Sequence, residues 1–170
     1  MNIEKLIEKI ENDRPEKWED LPDFMIYKDQ LISYMRKQHI GFGEGENLTS
    51  AMINNYTKSG LLPRANGKKY GKEHIASLTM TSLLKQVLQA DDVIKLVDNY
   101  QEENIKLTYD KYLDLLDQEL KESLNIIKDK KNIDSHELAM RLAVSSYINK
   151  LLCQKLIEEE DIKEDNIDGD

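Results

Sequence analysis

Residues 48–70 read LTSAMINNYTKSGLLPRANGKKY, and the fold turns on them. Leu48 followed by Thr49-Ser50 offers an apolar staple and capping hydroxyls, the start of a helix. Met52, Ile53 and Tyr56 fall on one face of it. Gly60 suits a left-handed stop, and Pro63 prevents the helix from resuming. Asn66-Gly67 then lies between two short extended pieces, residues 62–64 and 68–70, and this pair favours a hairpin turn. A short polar helix followed by a basic hairpin suits a groove and a phosphate backbone.

The charge balance sharpens that expectation. The 170 residues carry a formal net charge of −9. Residues 28–85 nevertheless hold nine Lys/Arg against four Asp/Glu, a local +5, so the remainder carries −14. Such asymmetry within one chain says more about partners than the total does.

Working outward, the chain reads as helical. Ile3, Leu6, Ile7 and Ile10 mark a first short helix, which Pro15 ends. Trp18, Leu21, Phe24 and Met25 lie in a loop expected to be pinned to the core by its large side chains. Tyr27, Leu31, Tyr34 and Met35 form the stripe of a second helix over residues 27–39. Arg36, Lys37 and His39 complement the dipole at its end. Residues 40–47, IGFGEGEN, form a glycine-rich connection. After the central stretch, residues 72–88 form another helix, with Ile75, Leu78, Thr79 and Leu83 (or Ser82) at threes and fours. Ala90-Asp91-Asp92 opens the next, with Val93, Leu96, Val97 and Tyr100 on its buried face.

From Thr108 a long helix is predicted, with Tyr109, Leu113, Leu116, Leu120 and Ile127 in its stripe and Tyr112, Leu115 and Leu124 widening it. Asp134-Ser135 caps a last helix running to about residue 158, with Leu138, Leu142, Ser145, Ile148, Leu152 and Leu156 inside. These two are expected to pair as an antiparallel helical hairpin that docks on the first half or on a second subunit. Residues 158–170 hold eight acids and one lysine and read as a disordered tail. The predicted organisation is an N-terminal helix and loop (1–20), a domain over 21–104, a helical hairpin over 105–157 and the acidic tail. The fold class is all-α with a small β-hairpin wing.

Catalytic signals are weak. His39, His74 and His136 are far apart in sequence, and none begins a HExxH motif. Nucleophile elbow, phosphate loop and Glu-x-x-His motifs are absent, so no enzyme, metal or cofactor is expected. The single cysteine, Cys153, excludes an intramolecular disulfide. No signal peptide or membrane span is visible, and a cytoplasmic protein is expected.

The best candidate site is the basic hairpin with the helix before it. Arg64, Lys68, Lys69 and Tyr70 flank the turn, Lys58 closes the preceding helix and Lys72 opens the following one. Ser50, Asn54, Asn55 and Lys58 would face a groove, where Asn suits adenine edges.

Residues 53–97 resemble the DNA-binding domain of MerR-type transcription regulators. The order of that family's motif appears as Tyr56, Gly60-Leu61-Leu62-Pro63, Arg64, Lys69-Tyr70 and the helix from about Lys72, with residues 90–97 as a short acidic-start helix. More closely, residues 21–97, a little under half the chain, resemble an uncharacterised Gram-positive bacterial family of unknown function with a MerR-like helix-turn-helix. Two features depart from the MerR pattern. Asn54 stands where an arginine precedes the paired aromatics, and Asn55 takes the place of the first aromatic; the loop over 40–47 is also long.

The resemblance implies a winged helix-turn-helix that reads double-stranded DNA with helix 49–59 and wing 62–70. Palindromic sites need two copies, so a homodimer is expected, with the stripe from Tyr109 to Ile127 as its seam. The alternative from another class is a non-catalytic protein-interaction module that keeps the scaffold, its acidic C-terminal part holding a partner. A third is an effector pocket lined by Tyr100, Tyr109, Tyr112 and Tyr147.

Overall fold

The computed structural model describes residues 3–38, 48–101, 104–129 and 134–167. The protein is mostly helical with a small two-stranded antiparallel sheet. In chain order come α1 (Ile3–Asn12), a 3-10 turn (Trp18–Asp20), β1 (Ile26–Tyr27), α2 (Lys28–Met35), α3 (Ser50–Lys58), β2 (Lys69–Tyr70), α4 (Lys72–Leu84), α5 (Ala90–Gln101), α6 (Ile105–Asp129) and α7 (Ser135–Ile167). No helix among the described residues is long and apolar enough to cross a membrane.

α4 is the axle. Its residues from His74 through Ser82 are all buried, because α2, α6 and β2 cover it on different sides. A helix that is apolar or small all round needs such covering. Leu31 and Met35 of α2, Ile53 of α3, Ile75 and Leu78 of α4 and Tyr109 of α6 form the main core. Leu48 closes onto it ahead of α3, as the staple reading expects. A second cluster gathers Leu61, Leu88, Val93 and Ile157, with Cys153 packed against it.

The local signals around α3 produce the predicted geometry. Thr49 Oγ1 accepts from the Met52 amide at 3.2 Å and caps α3. Gly60 takes φ +85° and Gly67 φ +66°, the left-handed values that a side chain resists.

Three expectations are corrected. Residues 68–70 do not pair back onto residues 62–64. The turn closes on itself through the reciprocal Asn66–Lys69 bonds of 3.0 and 3.1 Å, and β2 then pairs with β1, Ile26 opposite Tyr70 and Tyr27 opposite Lys69.

The α6 stripe is not a free seam. Tyr109 is fully buried, Tyr112 and Leu113 pack on the main core, and α6 lies along α4. Its far end meets α1 through Lys128–Glu11 (2.9 Å), and its middle meets the segment just after α1 through Arg14–Asp117 (2.6 Å).

Finally, α7 packs chiefly on α5 instead of forming the expected hairpin along α6. Leu142, Ile148, Leu152 and Leu156, expected inside, are exposed; of the predicted inner positions only Leu138 is buried. The helix also continues past residue 158 to Ile167, through most of the stretch read as a tail; residues 168–170 lie outside the described residues, as do His39 and the loop over 40–47. Phe24, placed among the loop's anchors, is exposed as well, whereas Leu21 is buried and the Trp18 ring lies 6.4 Å from that of Tyr109.

Candidate nucleic-acid interface

The site begins with helix geometry. Residues 50, 54 and 58 follow one another at intervals of four, so Ser50, Asn54 and Lys58 share one face of α3, with Asn55 at its border. All four are exposed, while Ile53, about 100° round the helix from the centre of that face, is fully buried. The Gly60 turn then leads to Leu61 and Leu62, both buried, which fix the start of the basic segment. Beyond them Arg64, Lys68 and Lys69 are exposed. Among the described residues no carboxylate lies within ion-pair distance of Lys58, Arg64, Lys68 or Lys69. Lys69 instead lies over the Tyr27 ring, 5.4 Å from its centre, a cation–π contact across the two-stranded sheet.

Two predicted site residues have other duties. Strand alternation sends Lys69 outward and Tyr70 inward. Tyr70 is only 5% exposed and stands edge-on to His74, their ring centres 5.3 Å apart. It is a core anchor and not a contact surface. Lys72 is mostly covered and pairs with Asp23 at 2.5 Å, which uses its charge within the fold.

Two residues join the site that sequence reasoning passed over. Lys28 Nζ donates to Asn54 Oδ1 at 2.7 Å, so a cation from the first turn of α2 sits beside the exposed face of α3. That bond engages the Asn54 side-chain oxygen. His74 is buried at the root of the basic turn. Its Nδ1 accepts from the Gly71 amide at 3.0 Å, so the ring proton belongs on Nε2, which faces the Arg64 carbonyl at 3.1 Å. In that tautomer Nδ1 has no proton to give the Glu73 carboxylate 3.1 Å away, and we read that approach as no salt bridge. The imidazole therefore ties the basic segment to the start of α4. Neither contact is visible from local spacing, since each joins elements ten or more residues apart.

The other candidate sites do not assemble. Tyr109 and Tyr112 stack in the interior with ring centres 6.2 Å apart, and Tyr147 is exposed on α7. The side chain of Tyr100 lies outside the described residues. Burial drives the Tyr109 hydroxyl pKa up to about 12 and raises that of Tyr112, so both are neutral packing groups. A cleft of about 410 Å³ between α1 and α6 has charged walls, but its Arg14, Asp117, Lys128 and Glu11 already pair in the two bridges that join those helices. Among the described residues no three His, Cys, Asp or Glu side chains gather as a metal site.

A family model described as "Domain of unknown function (DUF1836)" matches residues 16–112. That span runs from the 3-10 turn's approach through α5 into α6 and contains the whole candidate interface. No curated protein and no solved structure matches the chain.

Proposed function

We propose a function for a chain that belongs to the DUF1836 family, whose matched domain has no known role: it is a DNA-binding transcriptional regulator acting as a dimer. In this reading α2 and α3 are a MerR-like helix-turn-helix and the turn at Asn66-Gly67 is its wing. α3 enters the major groove with Ser50, Asn54, Asn55 and Lys58 toward the bases, and Arg64, Lys68 and Lys69 lie along phosphates. Lys28 adds a cation beside Asn54.

One observation carries the reading. In a chain of net charge −9, Lys58, Arg64, Lys68 and Lys69 are exposed together, and among the described residues no carboxylate lies within ion-pair distance of them. Cations in that state are what release counterions from DNA.

Selection from a random duplex library against the purified protein tests it. The expected result is enrichment of one sequence class, with the Lys68→Glu, Lys69→Glu double variant at least tenfold weaker and its salt dependence shallower by about two phosphate contacts. No enrichment, together with unchanged low-salt retention in the double variant, sinks the proposal.

A second reading draws on Tyr70 and Lys72, which the fold uses elsewhere. With fewer contacts for DNA, the same scaffold serves as a non-catalytic protein-interaction module. A stoichiometric protein complex that retains no DNA favours it.

A further inference from the structure

We propose that Lys28 sets the base preference of Asn54 and turns it from adenine to guanine. This rests on the DNA reading and names what one position of α3 selects. Lys28 is the first residue of α2, and Asn54 lies on the exposed face of α3. Lys28 Nζ stands 2.7 Å from Asn54 Oδ1. An ammonium has only protons to offer and finds no acceptor in an amide NH2, so the contact itself settles which end of the Asn54 amide faces it.

The fold places that ammonium and gives its charge no other duty. Ile26 and Leu31, on either side of Lys28 in sequence, are buried in the main core, and Tyr27 pairs with Lys69 across the two-stranded sheet. The backbone at Lys28 is therefore held in place between α3 and the basic turn. Among the described residues no carboxylate lies within ion-pair distance of Lys28. A cation in the first turn also opposes the helix dipole, so α2 is not stabilised by the charge it carries there.

The consequence follows from the edges of the bases. In the major groove adenine shows an acceptor, N7, beside a donor, the N6 amino group; guanine shows two acceptors, N7 and O6. A free asparagine reads adenine by donating to N7 and accepting from N6. The Asn54 oxygen already accepts from Lys28. It keeps a second lone pair, but an N6 amino group that reached it would sit beside an ammonium, donor against donor. At guanine that conflict disappears, because the Asn54 NH2 and the Lys28 ammonium both donate while N7 and O6 both accept. Lys28 and Asn54 act as one two-point donor assembled from two helices.

Selection from a random duplex library, run in parallel on the wild type, Lys28→Met and Asn54→Ala, is the test. The wild type is expected to select one position at which guanine exceeds adenine by at least about tenfold. Lys28→Met keeps an unbranched stem, removes the ammonium and frees the amide oxygen, so the excess of guanine should vanish or pass to adenine at that position alone. Asn54→Ala should flatten the same position. A cation that merely attracted phosphate would weaken all sequences alike and leave the ratio of the two bases unchanged. A second measurement needs no DNA: the side-chain amide proton resonances of Asn54 in the free protein should shift in Lys28→Met. The inference is overturned by adenine at the Asn54-dependent position in the wild type, by a guanine preference that Lys28→Met leaves intact, or by Asn54 amide resonances that do not respond to that substitution. A library with no enriched sequence removes the DNA reading and this inference with it. An enriched sequence whose base ratios are insensitive to both substitutions removes this inference and leaves the DNA reading standing.

Discussion

α4 and α7 share a feature of sequence and meet opposite fates. Both carry apolar or small residues around much of their circumference, so neither has a single clear inner face. α4 has 13 residues, and the protein wraps it from several sides until nine consecutive residues are buried. α7 has 33 residues; over its described side chains only Leu138 and Ile157 are buried. Covering on all sides is the condition for a helix of this composition to rest in water. α4 finds it within one chain, and α7 finds only a foothold on α5.

Substitutions can break or sharpen this contrast. Leu78 on α4 is fully buried, and Leu78→Ala should lower the unfolding free energy in urea by about 3 kcal/mol, the cost of removed methylenes plus the cavity left behind. A loss under about 1 kcal/mol would show that α4 is not the packed axle described.

Tyr109 comes next. Its hydroxyl donates to the Glu16 carbonyl at 2.8 Å, and Tyr109→Phe should cost about 1 kcal/mol at neutral pH. The pH dependence has a definite sign. Burial raises the folded pKa of Tyr109 from an unfolded value near 10 to about 12, and those of Tyr34 and Tyr112 also rise. The stability held by these neutral phenols is complete below about pH 10 and is lost as pH climbs through the folded values. Alkaline titration of unfolding should show that decline, and Tyr109→Phe should make it shallower.

Gly67→Ala probes the turn. Nothing lies within 4 Å of the added methyl, so only the left-handed backbone opposes it, at about 1 kcal/mol by thermal unfolding. The smallest effect belongs to α7. Leu152→Ala should change stability by no more than about 0.5 kcal/mol, because its side chain is already in water. A cost like that of Leu78→Ala would mean that α7 is covered within a single copy.

The same contrast explains how much could be read in advance. The ends of α3 were legible because caps and stops are local: Thr49, Gly60 and the Asn66-Gly67 turn act on neighbours a few residues away. The exposed face of α3 and the cations of Arg64, Lys68 and Lys69 were legible from helical spacing and charge. The partner of β2 was not, since β1 is two residues long, lies more than forty positions upstream and carries no pattern of its own. Tyr70 looked like part of a basic wing until that pairing set which side of the strand it occupies. The use of the α6 stripe depended on Tyr109 meeting residues 71 and 93 positions away. For α7 the apolar positions surround the helix, and periodicity then names no face: Leu142, Ile148, Leu152 and Leu156 keep the spacing of a buried stripe and are nevertheless exposed.

The uncharged span at residues 142–149 and the exposed cations Lys58, Arg64, Lys68 and Lys69 are two surfaces of opposite character, and salt acts on each in the opposite sense. Apolar contact between helices holds or strengthens as sulfate or phosphate salts are added, whereas cations lying on phosphates let go as counterions become plentiful. On the proposed reading, raising the ionic strength would release the DNA while leaving apolar contacts in place, and a single titration would report the two kinds of surface separately.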